Sequence, residues 1–220
     1  MNKIFLLFIV FFMSLLSCDF NDDLKYSCDE TTNQWVRDNL NQIHRMNRND
    51  WSKVSNSMKI PVYRAFTPDQ KITFWLQRIA EIQELGWNEQ EKEHIQKVSD
   101  FINTHNEFFF VKTLNDEQLD ELEEFFYRWM QESIDQFGWS EKVAKSIVAT
   151  GYRLKNKNGE IDMSFTESSM IMSSSAEPDC NCTDFVDFCF FAKCEPGGCD
   201  TGSGCGVLWL QECNGLCMGV

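Results

Sequence analysis

The residues of this chain that could do chemistry by type and spacing are its thiols. Cys180, Cys182, Cys189, Cys194, Cys199, Cys205, Cys213 and Cys217 share one stretch, residues 180–220, spaced C-x-C-x6-C-x4-C-x4-C-x5-C-x7-C-x3-C. Such a cluster either holds metal as thiolates or cross-links itself. Zinc modules use C-x2–4-C pairs, often with histidine. Here the close pairs are C-x-C and C-x3-C, and the stretch has no histidine. A segment this short buries too little apolar surface to hold itself together and needs covalent help. In an exported chain that help is disulfides. Four bridges at about 2–4 kcal/mol each would offset the cost of ordering the segment. The expectation is therefore four disulfides among these eight residues and no metal. Spacing does not choose among the alternative pairings.

Little else in the sequence points to catalysis. His44, His94 and His105 are scattered, and no two have metal-ligand spacing. Glu93-His94 reads as neighbours on a solvated helix face. Asp120-Glu121 and Glu123-Glu124 read as charges on the polar side of a helix. Gly-rich phosphate loops, dinucleotide fingerprints and Gly-x-Ser-x-Gly elbows are absent from the sequence. The expectation is a non-enzyme that uses neither a cofactor nor a metal.

Export is written at the other end. Lys3 precedes an unbroken apolar run from Ile4 to Met13, followed by Leu15-Leu16-Ser17-Cys18. This is the plan of a signal peptide over residues 1–17, and the run is too short for a comfortable membrane span. Leu15 stands where an ordinary cleavage site wants a small residue. Leu15-Leu16-Ser17-Cys18 resembles a bacterial lipobox, which implies that Cys18 becomes the first mature residue and carries lipid. The competing reading is an ordinary signal peptide with a chance cysteine. Asp19-Phe20-Asn21-Asp22-Asp23 then begins an acidic tether over residues 18–29, which resembles tags that send some lipoproteins to the outer surface and equally reads as a plain solvated tether. Cys28 is left over; it is free, or it pairs with Cys18 if Cys18 carries no lipid. The net charge of −14 argues against nucleic acid as a partner. Within the cysteine-rich stretch Asp184, Asp187, Glu195, Asp200 and Glu212 face only Lys193, which argues against a cationic membrane-attracted peptide.

The elements between these ends read as mostly α. Trp35, Val36, Leu40 and Ile43 have helical spacing, and Asn49-Asp50 would end that segment and cap a short second one. Thr67-Pro68-Asp69-Gln70 opens a strong helix with the stripe Ile72, Trp75, Leu76, Ile79 and Ile82. Gly86-Trp87-Asn88-Glu89 stops it and caps a helix bearing Ile95, Val98 and Ile102. The plan recurs: Asn115 to Gln118 caps a helix with Leu119, Leu122, Phe126, Trp129, Ile134 and Phe137. Gly138-Trp139-Ser140-Glu141 then leads into Val143, Ile147 and Val148. This predicts a pair of helical hairpins, either a duplication or simply the usual way helices stop and start. Phe108 to Val111 is ambiguous between a strand and a helix end. Asn158-Gly159 predicts a small β-hairpin closing a helical domain over 30–166. Residues 167–179 read as a Ser-rich linker where proteases would cut, and 180–220 as a separate disulfide-rich module.

The cysteine-rich stretch also carries a resemblance. Cys180-Asn181-Cys182-Thr183, Asp187-Phe188-Cys189, Thr201-Gly202-Ser203-Gly204-Cys205-Gly206, Trp209 and Cys213-Asn214-Gly215 together resemble the fulvocin C-related bacteriocins. The resemblance covers residues 180–217 and implies a compact four-disulfide unit with antibacterial activity. Two departures limit it: the preceding helical domain and the lipobox. Two functional readings follow. In the first, the chain is an exported bacteriocin-like precursor whose module is released at the linker and meets a cell-surface receptor on target bacteria. In the second, it stays intact as a cell-surface lipoprotein, held at the membrane by its lipid anchor, and the module binds. Phe185, Phe188, Phe190, Phe191, Leu208, Trp209 and Leu210 would be partly exposed on so small a unit. Phe188 and Trp209 are the leading contact candidates.

Overall fold

A computed structural model describes residues 24–162, 179–180, 192–197 and 201–219. It is mostly helical, with eight α-helices among the described residues and short strands near the C-terminus. The helices are α1 (Glu30–Asp38), α2 (Leu40–Ile43), α3 (Arg48–Ser52), α4 (Asn56–Arg64), α5 (Pro68–Gln83), α6 (Glu89–Thr104), α7 (Asp116–Phe137) and α8 (Glu141–Val148). Strands β1 (Asp179–Cys180), β2 (Ala192–Pro196) and β5 (Gly215–Gly219) form an antiparallel sheet in the order β1-β5-β2. Strands β3 (Ser203–Cys205) and β4 (Gln211–Glu212) pair separately.

Local chemistry sets the helix starts. Thr67, Asn88 and Asn115 each accept from the backbone N–H three residues on, and Gln70, Glu91 and Gln118 return the bond to the cap. Asp29 and Ser140 cap α1 and α8. The first boundary differs from expectation. Asn49 and Asp50 lie inside α3, because Asn47 takes the cap and Asp50 serves as the third residue of its capping box. The Asn-x-x-Asp spacing satisfies two backbone donors where Asn49 would satisfy one.

The Gly-Trp connections turn α5 back on α6 and α7 on α8. Gly138 ends α7 in the left-handed conformation that glycine adopts freely. The two connections bring Trp87 and Trp139 together at 4.8 Å. Phe108 to Phe110 belong to a 3-10 turn, Asn106–Phe110. Around Asn158-Gly159 the described part of the expected hairpin, up to residue 162, shows one bridge, Leu154 with Ile161, flanked by two backbone bonds.

Part of the expected tether is also part of the folded body. Tyr26 and Ser27 are buried and Asp29 caps α1, so the chain is packed from residue 24. Tyr26 explains why: an aromatic ring beside the helical core is worth more buried than solvated. The signal segment, Cys18 and linker residues 167–178 lie outside the described residues. Among the described residues no helix is long and apolar enough to cross a membrane.

Candidate functional site

The cysteine-rich stretch does not stand apart from the helices. Val207, Leu208, Trp209 and Leu210 belong to the same buried core as Trp51, Tyr63, Phe74 and Trp75. Trp209 is only 5 % exposed. Its ring lies 4.8 Å from Tyr63, 5.6 Å from Trp75, 5.8 Å from Trp51 and 5.9 Å from Phe74. Its Nε1 donates to Ala149 O at 3.2 Å, and Tyr63 Oη donates to Leu208 O at 3.3 Å. The expectation of an exposed contact ring is thus corrected for Trp209, and Leu208 and Leu210 are buried with it. A short disulfide-rich segment cannot cover these side chains itself, so it covers them with the helices.

Two devices hold this insertion against one backbone cost. Cys205 and Cys213 form a disulfide that closes the loop carrying Val207–Leu210. Leu208 and Trp209 have φ of 49° and 54°, a region uncommon for residues with a side chain. Each such residue costs about 1–2 kcal/mol, and the burial of both side chains offsets it. Gly151 supplies the room: a Cβ there would come within 2.6 Å of Trp209 and 2.7 Å of Phe74.

Arg64, at the end of α4, is the polar half of the seam. It donates to Tyr26 O at 2.9 Å, Ser203 O at 3.1 Å and Cys213 Sγ at 2.9 Å. It therefore ties the leading segment, the helices and the disulfide to one guanidinium.

A cavity of about 290 Å³ opens beside Arg64. Leu24, Lys25 and Tyr26 line it from the leading segment, and Phe66, Pro68 and Lys71 from the α4–α5 turn. Phe109, Phe110, Val111 and Lys112 come from the 3-10 turn and beyond, and Thr201 and Ser203 from the cysteine-rich stretch. Four of these residues are cations and none is an acid, on a chain of net charge −14. Desolvation, helped by the Arg64 charge, pushes Lys71 down to about 8. Burial likewise raises Tyr26, against the pull of Arg37. Thr201 is buried and its Oγ1 has no hydrogen-bond partner.

A second polar cluster reads as architecture. Lys59 is buried and donates to Ser52 O at 2.7 Å and Trp51 O at 3.4 Å, at the carbonyl end of α3 where a cation is favoured. Desolvation first, then the Arg48 charge, pushes it down to about 8. Arg78 does the same for α8, donating to Ser146 O and Thr150 O. Arg48 and Arg153 share Glu81 at 3.0 and 3.3 Å. The space beside Arg48 and Lys59 is about 20 Å³, room for one water.

The expected site residues are placed as follows. Cys205 and Cys213 pair with each other. Cys180 lies in β1, and Cys194 and Cys217 are register partners in β2 and β5. Cys182, Cys189, Cys199 and Phe188 lie outside the described residues. Cys28, left over in the sequence, is disulfide-bonded rather than free. His94 is 2 % exposed and stacks on Trp129 at 4.8 Å, so the expected solvated face is corrected; only Glu93 is exposed. Val98 and Phe101, four and seven residues on, carried that signal. Among the described residues no group of three His, Cys, Asp or Glu could hold a metal. Lys25, Arg64, Lys71 and Lys112 were not singled out in the sequence, because they meet only in space. No family model matches the chain, and neither does any curated protein or solved structure.

Proposed function

We propose that the chain works intact, as an exported, envelope-anchored binding protein in which the cysteine-rich stretch is a clasp on the helical body. One observation carries this reading: residues 207–210 are core residues of the helical body, with Trp209 set among Trp51, Tyr63, Phe74 and Trp75. Release of the stretch would open a hole there and expose four apolar side chains. The lipobox-like Leu15 to Cys18 supports the anchor, which requires that the disulfide partner of Cys28 be a cysteine other than Cys18. Intact-mass analysis of the protein from its native producer tests the reading. The expected result is one species that begins at lipidated Cys18 and retains the cysteine-rich stretch. A shed fragment beginning near residue 178 would overturn it.

The fulvocin C-related resemblance keeps a second reading in play, a bacteriocin-like precursor. It is favoured by the same burial seen from the other side. A helical pro-region that covers Val207–Leu210 would mask the apolar face of a toxin until release. An oxidised synthetic peptide of residues 179–220 should then inhibit related bacteria, and its reduced form should not. An inactive oxidised peptide across a broad panel would sink this second reading.

A further inference from the structure

We infer that the cavity beside Arg64 is a binding site for a small amphipathic anion, a carboxylate carried on a medium-length alkyl or aryl body. The inference deepens the intact-protein reading and rests on it, because Thr201 and Ser203 wall the cavity only while the clasp is docked.

Lys25, Arg64, Lys71 and Lys112 converge on one cavity whose lining, among the described residues, includes no carboxylate. On an acidic chain, solvated lysines would sit near the abundant acids. The three lysines instead have no acidic partner among the described residues. Lys71 has only the Tyr63 ring, 5.6 Å from its ammonium, and the repelling Arg64 beside it. It also sits in the first turns of α5, at the positive end of a 16-residue helix. A group held this way is stabilised by an anion.

A second observation points the same way independently. Thr201 lines the cavity and its buried Oγ1 has no partner among the described residues, although a buried hydroxyl normally has one. A carboxylate oxygen supplies it.

The walls choose the body of the ligand. Leu24, Phe66, Pro68 and Phe109 are apolar, and Phe110 and Val111 at the rim are 59 % and 40 % exposed. Large exposed apolar side chains beside a cavity mark where a ligand covers them. The volume lies at the small end of ligand pockets, too small for a large cofactor. The head-group chemistry follows from what Arg64 already holds. Its guanidinium donates to Tyr26, Ser203 and Cys213, so recognition falls to lysine ammonium groups. These act as point charges, so the carboxylate is held by its single negative charge and not by a bidentate fork.

The test is calorimetric titration of the full-length oxidised protein with three probes: decanoate, decanol and inorganic phosphate. Decanoate should bind saturably at one site, and decanol and phosphate each more weakly by about tenfold or more. Lys71→Met and Phe110→Ser should each weaken decanoate by about tenfold and leave the far-UV helical signal unchanged. Affinity should also fall as pH rises through about 8, where Lys71 loses its proton while burial keeps Tyr26 and Tyr63 neutral. Decanol binding as tightly as decanoate, phosphate binding as tightly as decanoate, or decanoate binding unaffected by Lys71→Met would each overturn the inference. No saturable binding to a protein whose clasp is shown intact by mass would overturn it and leave the intact-protein reading standing. A producer-derived protein that lacks the stretch would overturn both.

Discussion

Trp209 shows what one side chain does when two parts of a chain share a core. Its ring meets Trp51, Tyr63, Phe74 and Trp75, and its Nε1 reaches Ala149 O. Trp209→Ala should lower the unfolding free energy by about 3–5 kcal/mol in denaturant titrations. A loss under about 1 kcal/mol would mean that the ring is not a core residue. His94 makes a complementary prediction about pH. Burial first, then the Lys97 charge, pushes it down to about 4, although Glu132 lies 3.5 Å from Nδ1. An unfolded chain takes up this proton near pH 6.5 and the folded chain only near 4. Stability is therefore fully present above 6.5 and falls as pH drops from 6.5 towards 4, by about 3 kcal/mol. His94→Leu should flatten that part of a pH–stability curve. An unchanged slope in the variant would assign the acid sensitivity to other groups.

Among the elements, the caps carry the most information per residue. Asn88 and Glu91 exchange hydrogen bonds at the start of α6, a pairing legible from four consecutive residues. The structure adds what those four residues could not state. Glu91 also accepts from Trp139 Nε1 at 3.1 Å and pairs with Lys157 at 3.5 Å. Burial alone would raise Glu91, but the Asn88 backbone bond, the Trp139 bond and Lys157 together hold it below the usual carboxylate range. Glu91→Ala should thus cost more than a lost cap, about 2 kcal/mol against about 1 for Asn88→Ala. Equal losses in thermal unfolding would show that the Trp139 and Lys157 contacts add nothing. Helix starts and the Gly-Trp reversals were readable because they depend on neighbours within one turn. The 3-10 turn at Phe108–Phe110 was not, because a short apolar run fits a strand, a helix end or a turn equally well.

For the whole molecule, apolar spacing and caps pointed to the mostly helical class, whereas the packing of residues 207–210 against the helices was not legible. Cysteine density argued for a self-contained module. Val207 to Leu210 have no local period, so their burial depends on partners more than fifty residues away, such as Trp75 and Ala149. The cavity was equally illegible, since residues 25, 64, 71 and 112 lie on four separate segments. Two predictions belong at this scale. Cys18→Ala should move the protein from the membrane fraction to the soluble one, and continued membrane attachment with unchanged processing would count against lipidation. Reduction should loosen the clasp, giving a red-shifted tryptophan emission while the far-UV helical signal persists. The insertion of Trp209 has a further bearing on how the protein is made. Synthesis proceeds from the N-terminus, so α1 to α8 emerge first with the space for residues 207–210 still open. Until those residues arrive and Cys205 is oxidised onto Cys213, the body lacks its central ring. A chain that cannot close its core early stays pliant enough to be threaded through a translocation pore, and it becomes rigid only where disulfides can form. On the proposed export route, a keystone placed late in the sequence couples final folding to arrival outside the cell.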